Sequence, residues 1–264
     1  MAQIHPTAVV DSRAELGAGV VIGPLCVVEA GAVIGAECQL EARAVVKGRT
    51  TLGCHNEIGE GAVIGGRAQH VHVHDPGGTL TIGDHNLFMV GSHVGHDCRV
   101  GNHCILVNHV LLGGHAQVED RAYLGGGSAV HQFCRIGRLA MIGGLAKVTQ
   151  DVPPYVMVEG AAPSQVIGLN KVGLRRNGYT PEQIQQLKEA YRVIYREGLR
   201  WSEVLTILQS DFDTGPAAAF HEFLKSGKRG FTQERRISRR AMLKIVDPAQ
   251  DEFEQADRRE RDVA

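Results

Sequence analysis

Aromatic side chains are nearly missing from the first 150 residues. The 264-residue chain has one Trp and 5% aromatics, and only Phe88, Tyr123 and Phe133 of its Phe and Tyr precede residue 151. A layered α/β or helical core of that length carries more aromatic bulk. This part of the chain therefore reads as thin and repetitive. Charge of one sign is also lacking: the formal net charge is −1, which removes a global electrostatic case for binding nucleic acid. No apolar run approaches the roughly 18 residues of a transmembrane segment. Met1-Ala2-Gln3-Ile4-His5-Pro6 has neither the basic n-region nor the apolar h-region of a secretory signal. The expected compartment is the cytoplasm. What is plentiful is glycine: 25 of the 33 lie before residue 151.

A period of six organises that glycine-rich part. Stepping by six from Ile4 meets Val10, Leu16, Ile22, Val28, Ile34, Leu40, Val46, Leu52, Ile58 and Ile64. The next two steps land on His70 and Pro76, and the series resumes in phase from Ile82 through Phe88, Val94 and Val100 to Val148. Of 25 positions 23 are apolar, where 43% hydrophobic residues drawn at random would give about 11. Two residues before most of these positions sits a small residue such as Ala8, Cys26, Ala32, Cys98 or Ser128. One residue after, Gly is frequent, as at Gly17, Gly23, Gly95, Gly113 and Gly125. Six fits neither the helical nor the simple strand period. It fits short strands joined by corners, with the large and small residues two apart on one inward face. Glycine at the corner is expected to supply positive φ. Three hexads close a triangular coil of 18 residues, so the expected fold is a mainly β hexapeptide parallel β-helix over residues 1–150.

The phase break predicts a loop excursion at about 65–81, reckoned as one coil long. His70, His72 and His74 alternate within it, which suits a solvated or substrate-lining segment, with metal binding as the sharper reading. Five of the six cysteines (Cys26, Cys38, Cys98, Cys104, Cys134) occupy the inward small register and read as buried hydrophobes. After about Gln150 the pattern stops, and Asp151-Val152-Pro153-Pro154-Tyr155 reads as a connector. Residues 151–227 are assigned to this connector and a helical cap. Thr180-Pro181-Glu182-Gln183 is a helix start, a second helix is placed from Ser202, and a third from Pro216 to Leu224. Residues 228–264 read as a charged tail, basic then acidic, expected to be solvated or partly helical, or disordered.

Candidate chemistry gathers around histidine. Positions 18 apart stack rung on rung, so His96, Gly114 and Gln132 form one column and Asp97, His115 and Phe133 the next, with His93 nearby. All are outside the inward register. Neutral imidazole can take a proton from a hydroxyl, an adjacent carboxylate can orient it, and a glycine amide can approach an oxyanion. This assigns His96 as general base, Asp97 as its partner and Gly114 as oxyanion donor. His55, His85, His103 and His109 share the corner register of His115 and are read as tolerated corner residues.

The strings His93-Val94-Gly95-His96-Asp97-Cys98, Gly114-His115, Ala129-Val130-His131-Gln132-Phe133-Cys134 and Asp151-Val152-Pro153-Pro154-Tyr155, with Gly168-Leu169-Asn170 and Gly173-Leu174-Arg175-Arg176, resemble the acyl-[acyl-carrier-protein]–UDP-N-acetylglucosamine O-acyltransferase family. The resemblance covers residues 4 to about 225. It implies a left-handed coil and a homotrimer with active sites between subunits. It also implies transfer of a 3-hydroxyacyl chain from acyl carrier protein to the sugar 3-hydroxyl of a UDP-sugar nucleotide, the first step of lipid A biosynthesis. In that reading His93, His115, His131 and Gln132 line the sugar and acyl sites. Asn170 and Arg176 contact the nucleotide, and Gly144 stands where acyl length is limited. The attack is direct, without metal, cofactor or covalent enzyme intermediate. The segment before His93 is shorter than the family pattern, and a family acid near the uracil is Val172 here. The alternatives are a related acyl- or acetyltransferase on an amino-sugar nucleotide, a zinc enzyme of the γ-carbonic-anhydrase type, and a non-catalytic scaffold.

Overall fold

Each hexad becomes a two-residue strand and a turn, as in Val21–Ile22, Val27–Val28 and Val33–Ile34. This is seen in a computed structural model that describes residues 1–68 and 78–235. Met1–Glu234 form one compact unit; of a second, 235–264, only Arg235 is described. Successive strands fall in turn on three parallel sheets, and residues 18 apart pair, as Ile22 with Leu40 and Leu112 with Val130. The chain is a parallel β-helix. Ile22, Ile34, Ile64 and Ile142 fill its interior beside Cys26, Ala32 and Ala140. Removing one such branched side chain, as in Ile34→Ala, costs about 2–5 kcal/mol because a narrow tube collapses poorly onto the gap. The five inward cysteines are buried and free. The Cys98 thiol donates to the Gly113 carbonyl at 3.2 Å, and burial pushes its pKa up to about 12.

The corner glycines do a different job from the expected one. Positive φ falls two residues further on, mostly at non-glycine residues such as Leu25, Glu37, Arg43, His55, His115 and Leu145. A left-handed L residue costs roughly 1–2 kcal/mol. Here the amide of that residue gains a bond to the coil below, as Glu37 N to Ala18 O and His115 N to His96 O, both 2.9 Å. Glycine in the expected register instead admits the next coil: a Cβ on Gly17 would lie 2.5 Å from Ala36 N, and one on Gly113 2.7 Å from Gln132 N.

The excursion adds two hexads, not one coil. Ile58 pairs with Phe88 and Ile64 with Val94, 30 residues apart. The phase survives because 12 extra residues are a whole number of hexads. His70, His72 and His74 lie outside the described residues. Buried asparagines bridge the two sides of this long step. Asn56 Oδ1 accepts from the backbone and side-chain amides of Asn86 at 2.9 and 3.0 Å, and Asn86 Oδ1 accepts from Cys104 N at 2.7 Å.

The coil also runs on past Gln150. Val152 bridges Ile136, and Val156–Glu159 pairs in parallel with Met141–Ile142 before turning back as the antiparallel strand Gln165–Leu169. Ladder pairing needs only an extended backbone, so the prolines of the supposed connector fit at the corner, where Pro154 packs on Gly137. Four helices follow: α1 (Lys171–Arg176), α2 (Pro181–Tyr195), α3 (Trp201–Asp211) and α4 (Ala218–Leu224). Thr180 caps α2 in a capping box with Gln183. α3 starts one residue before Ser202, α4 starts two after Pro216, and α1 adds a helix that the sequence reading does not assign. Arg135 ties α4 to the coil: it pairs with buried Asp151 at 2.8 Å, lies 4.2 Å over the Phe223 ring and donates to Phe223 O at 2.9 Å.

The outer faces of the coil differ. The first sheet turns Leu87, Ile105, Tyr123 and Met141 outward, and the second turns out Val9, Val27, Val45, Val63 and Leu111. Their shared corner exposes Leu25, Val90 and Leu145. The third sheet presents Glu15, Thr51, Thr81, Arg99, Gln117 and Arg135.

Candidate active site

The strand His93–Gly95 is the fifth of eight in the second sheet, and after it the chain turns toward the third through His96 and Asp97. Asp97 has φ +59°, as do the residues in its register above: His115 at +59° and Phe133 at +65°. His115 N donates to His96 O at 2.9 Å and Phe133 N to Gly114 O at 3.1 Å. The two columns expected from 18-residue spacing are therefore present at this corner.

His96 Nδ1 lies 2.6 Å from Asp97 Oδ2. A carboxylate accepts only, so the ring proton is assigned to Nδ1, which leaves Nε2 with a free lone pair. That nitrogen faces Gly114: a Cβ there would collide with it. Among the described residues the Gly114 amide donates to no backbone carbonyl. One corner thus holds a proton acceptor and an N–H donor side by side. His115 meets the His96 ring edge-on at 5.1 Å, its Nε2 is 3.7 Å from Asp97 Oδ2, and Phe133 stacks on its other face at 4.5 Å. His96, Asp97 and His115 are also the group of three potential metal ligands found among the described residues, with donor atoms within 4.8 Å of one another.

His93 is half-buried, and burial holds its pKa below the ordinary 6.5. Two glycines that the spacing did not flag press on the site. A Cβ on Gly66 would strike His93 Nε2, and one on Gly78 would strike Asp97 Oδ1. They flank the excursion, so its two roots lean on His93 and on Asp97. Their signal was the phase break itself. His131 and Gln132 are exposed one coil further along the same corner.

Three expected site residues lie elsewhere on the chain. Gly144 is at the apolar corner between first and second sheets, where a Cβ would lie 3.3 Å from Gly126 O. Asn170 is buried and caps α1: Oδ1 accepts from Gly173 N and Nδ2 donates to Leu139 O, both at 2.9 Å. Arg176 lines a 490 Å³ cleft at the remaining corner with Arg121, Arg138, Asp120 and Tyr179. Arg121 and Arg138 had no motif to mark them. They share a cleft with Arg176 only because the coil and α1 meet there. No helix among the described residues is long and apolar enough to cross a membrane.

Residues 151–232 match the family described as UDP N-acetylglucosamine O-acyltransferase, domain 2, and residues 80–114 match the bacterial transferase hexapeptide (six repeats). The acyl-[acyl-carrier-protein]–UDP-N-acetylglucosamine O-acyltransferase of Myxococcus xanthus is 44% identical over 260 residues, covering 88% of this chain and 100% of that protein. Its namesake from Anaeromyxobacter sp. (strain K) is 40% identical over 158 residues, and that match spans 60% of this chain and 61% of the relative. The crystal structure of Francisella novicida UDP-N-acetylglucosamine acyltransferase superposes with a TM-score of 0.78 at 31% identity, covering 92% of this chain and 100% of that one. By sequence along nearly its whole length and by fold, the chain belongs to the acyl-[acyl-carrier-protein]–UDP-N-acetylglucosamine O-acyltransferase family.

Proposed function

We propose that this protein transfers a 3-hydroxyacyl chain from acyl carrier protein to the 3-hydroxyl of UDP-N-acetylglucosamine, the opening step of lipid A biosynthesis, with His96 as general base. The observation that carries the reading is the His96 ring held between Asp97 Oδ2 at 2.6 Å and the Gly114 backbone. The Nε2 lone pair takes the proton of the sugar hydroxyl as its oxygen attacks the thioester carbonyl. Asp97 fixes the tautomer and stabilises the imidazolium. The Gly114 N–H receives the developing oxyanion, and His96 returns its proton to the leaving thiolate. His93, His115, His131 and Gln132 line the same corner and serve the sugar and acyl chain.

The active assembly is a homotrimer working in the cytoplasm. The outward Leu87, Ile105, Tyr123 and Met141 of the first face, the valines and Leu111 of the second, and Leu25, Val90 and Leu145 at their corner support the trimer, because exposed apolar surface marks an interface. If the first face of one copy packs on the second face of the next, apolar corners inward, the arginine cleft of one copy lies beside His96 of its neighbour. Asn170 and Arg176 then serve a nucleotide held between subunits, with Arg121 and Arg138 near its diphosphate. Gly144 lies along the acyl path at the inner corner.

The test is incubation of the purified protein with UDP-N-acetylglucosamine and 3-hydroxyacyl carrier proteins of several lengths, read by mass spectrometry. A 3-O-acylated product supports the reading. Absence of product from a folded trimer overturns the acceptor assignment, and a sedimentation mass of one chain overturns the shared site.

A further inference from the structure

We infer that His96, Asp97 and His115 also form a binding site for a borderline transition-metal dication such as Zn²⁺ or Co²⁺, and that the ion silences the site by occupying its base. The silencing rests on the reading of His96 as base; the metal site does not.

The geometry is close to a coordination shell. His96 Nδ1 and His115 Nε2 lie 2.6 and 3.7 Å from the same Asp97 oxygen. Donors bound tetrahedrally at about 2.0–2.1 Å stand roughly 3.3 Å apart, so the three donors, now within 4.8 Å of one another, reach a shell by side-chain adjustment. The two imidazoles meet at an interplanar angle of 86°. Phe133, stacked at 8° on His115, holds that ring's plane. The three side chains are 22%, 15% and 42% exposed, reachable by a hydrated ion and shielded on the coil side.

Two imidazoles and one carboxylate with an open fourth position favour zinc or cobalt over magnesium or calcium, which prefer all-oxygen shells. The consequence for His96 follows from proton placement. An ion on Nδ1 replaces the proton shared with Asp97, and the neutral ring then carries its single proton on Nε2. No proton is lost overall. The nitrogen beside Gly114 becomes a donor and cannot accept the sugar hydroxyl's proton.

A second histidine group provides the competing location. His55, His85 and His103 stack in parallel on an exposed corner, with centroids 4.6 and 4.9 Å apart and planes within 2°. Their lone pairs run side by side and do not converge on one point.

The test titrates Co²⁺ into chelator-treated protein without substrates and follows the visible absorption of bound cobalt. The expected result is one ion per chain. His115→Asn should weaken binding roughly tenfold or more, as should Asp97→Asn, whereas His85→Ala should leave it unchanged. Asparagine tolerates the left-handed backbone at position 115, and circular dichroism checks folding. Absence of a cobalt spectrum overturns the site, and so does binding that survives His115→Asn but is lost in His85→Ala. Zn²⁺ should then inhibit turnover over its own binding range, reversibly with chelator. If cobalt binds as expected while His96→Ala stays fully active, the metal site stands and the base assignment falls.

Discussion

The His96 ring lies against the backbone of Gly114 in the next coil, so near that one methyl group at position 114 would strike Nε2. Acceptor and donor thus come from consecutive coils, and their spacing is set by the backbone ladder. Gly114→Ala should therefore act on chemistry before stability. The added Cβ displaces the ring, and we expect kcat to fall roughly 10²-fold with the circular dichroism spectrum retained. A variant with normal turnover would mean that the ring does not work from this position.

Removing the His96 imidazole is the sharper change. His96→Ala should lower kcat by roughly 10²–10⁴, with a much smaller change in KM, because the lost interaction matters mainly in the transition state. Steady-state kinetics at saturating acyl donor separates the two parameters. A rise in KM at unchanged kcat would make His96 a binding residue.

The corner geometry predicts a stability contrast. Gly113→Ala pushes a Cβ toward Gln132 N at 2.7 Å and should destabilise by about 1–3 kcal/mol. Glu37, exposed at φ +57°, should accept glycine without loss, or with a gain of about 0.5 kcal/mol. Urea unfolding measures both. A harmless Gly113→Ala would show that the coils can separate to accept a side chain.

Burial of His93 gives a pH signature. Its folded pKa lies below 6.5, so as pH falls the unfolded chain takes up this proton first. The stability tied to the neutral ring is complete above about pH 6.5 and is lost as pH falls through that value toward the folded pKa. His93→Gln should flatten the dependence of unfolding free energy on pH between about 7 and 5. An unaltered slope would place the acid sensitivity on other groups.

The coil and the His96 corner were legible in sequence because a β-helix maps residue spacing directly onto space. Eighteen residues is one rung, so Asp97, His115 and Phe133 had to stack. Where spacing stops being geometry, legibility ended. The left-handed corners carry His, Arg and Leu because a ladder hydrogen bond holds them, and no residue type announces that. The coil beyond Gln150 loses its hexads while keeping its pairing, so Val152, which bridges Ile136, reads as connector. The cleft of Arg121, Arg138 and Arg176 needs α1 to close on the coil, a contact between distant segments that no period encodes. The separation of Gly144 and Arg176 from His96 is likewise a property of different corners of one prism.

The Asn56–Asn86 pair joins the coil before the excursion to the coil after it, at the corner between the third and first sheets. A tube lined by Val, Ile and Ala would accept a strand one rung too early or too late almost equally well. A slipped return would strand two amides in hydrocarbon, at about 1–3 kcal/mol for each unmet group. The pair thus works as a molecular index mark: the excursion can change in content, or in length by whole hexads, and His96 still arrives on the rung below Gly114.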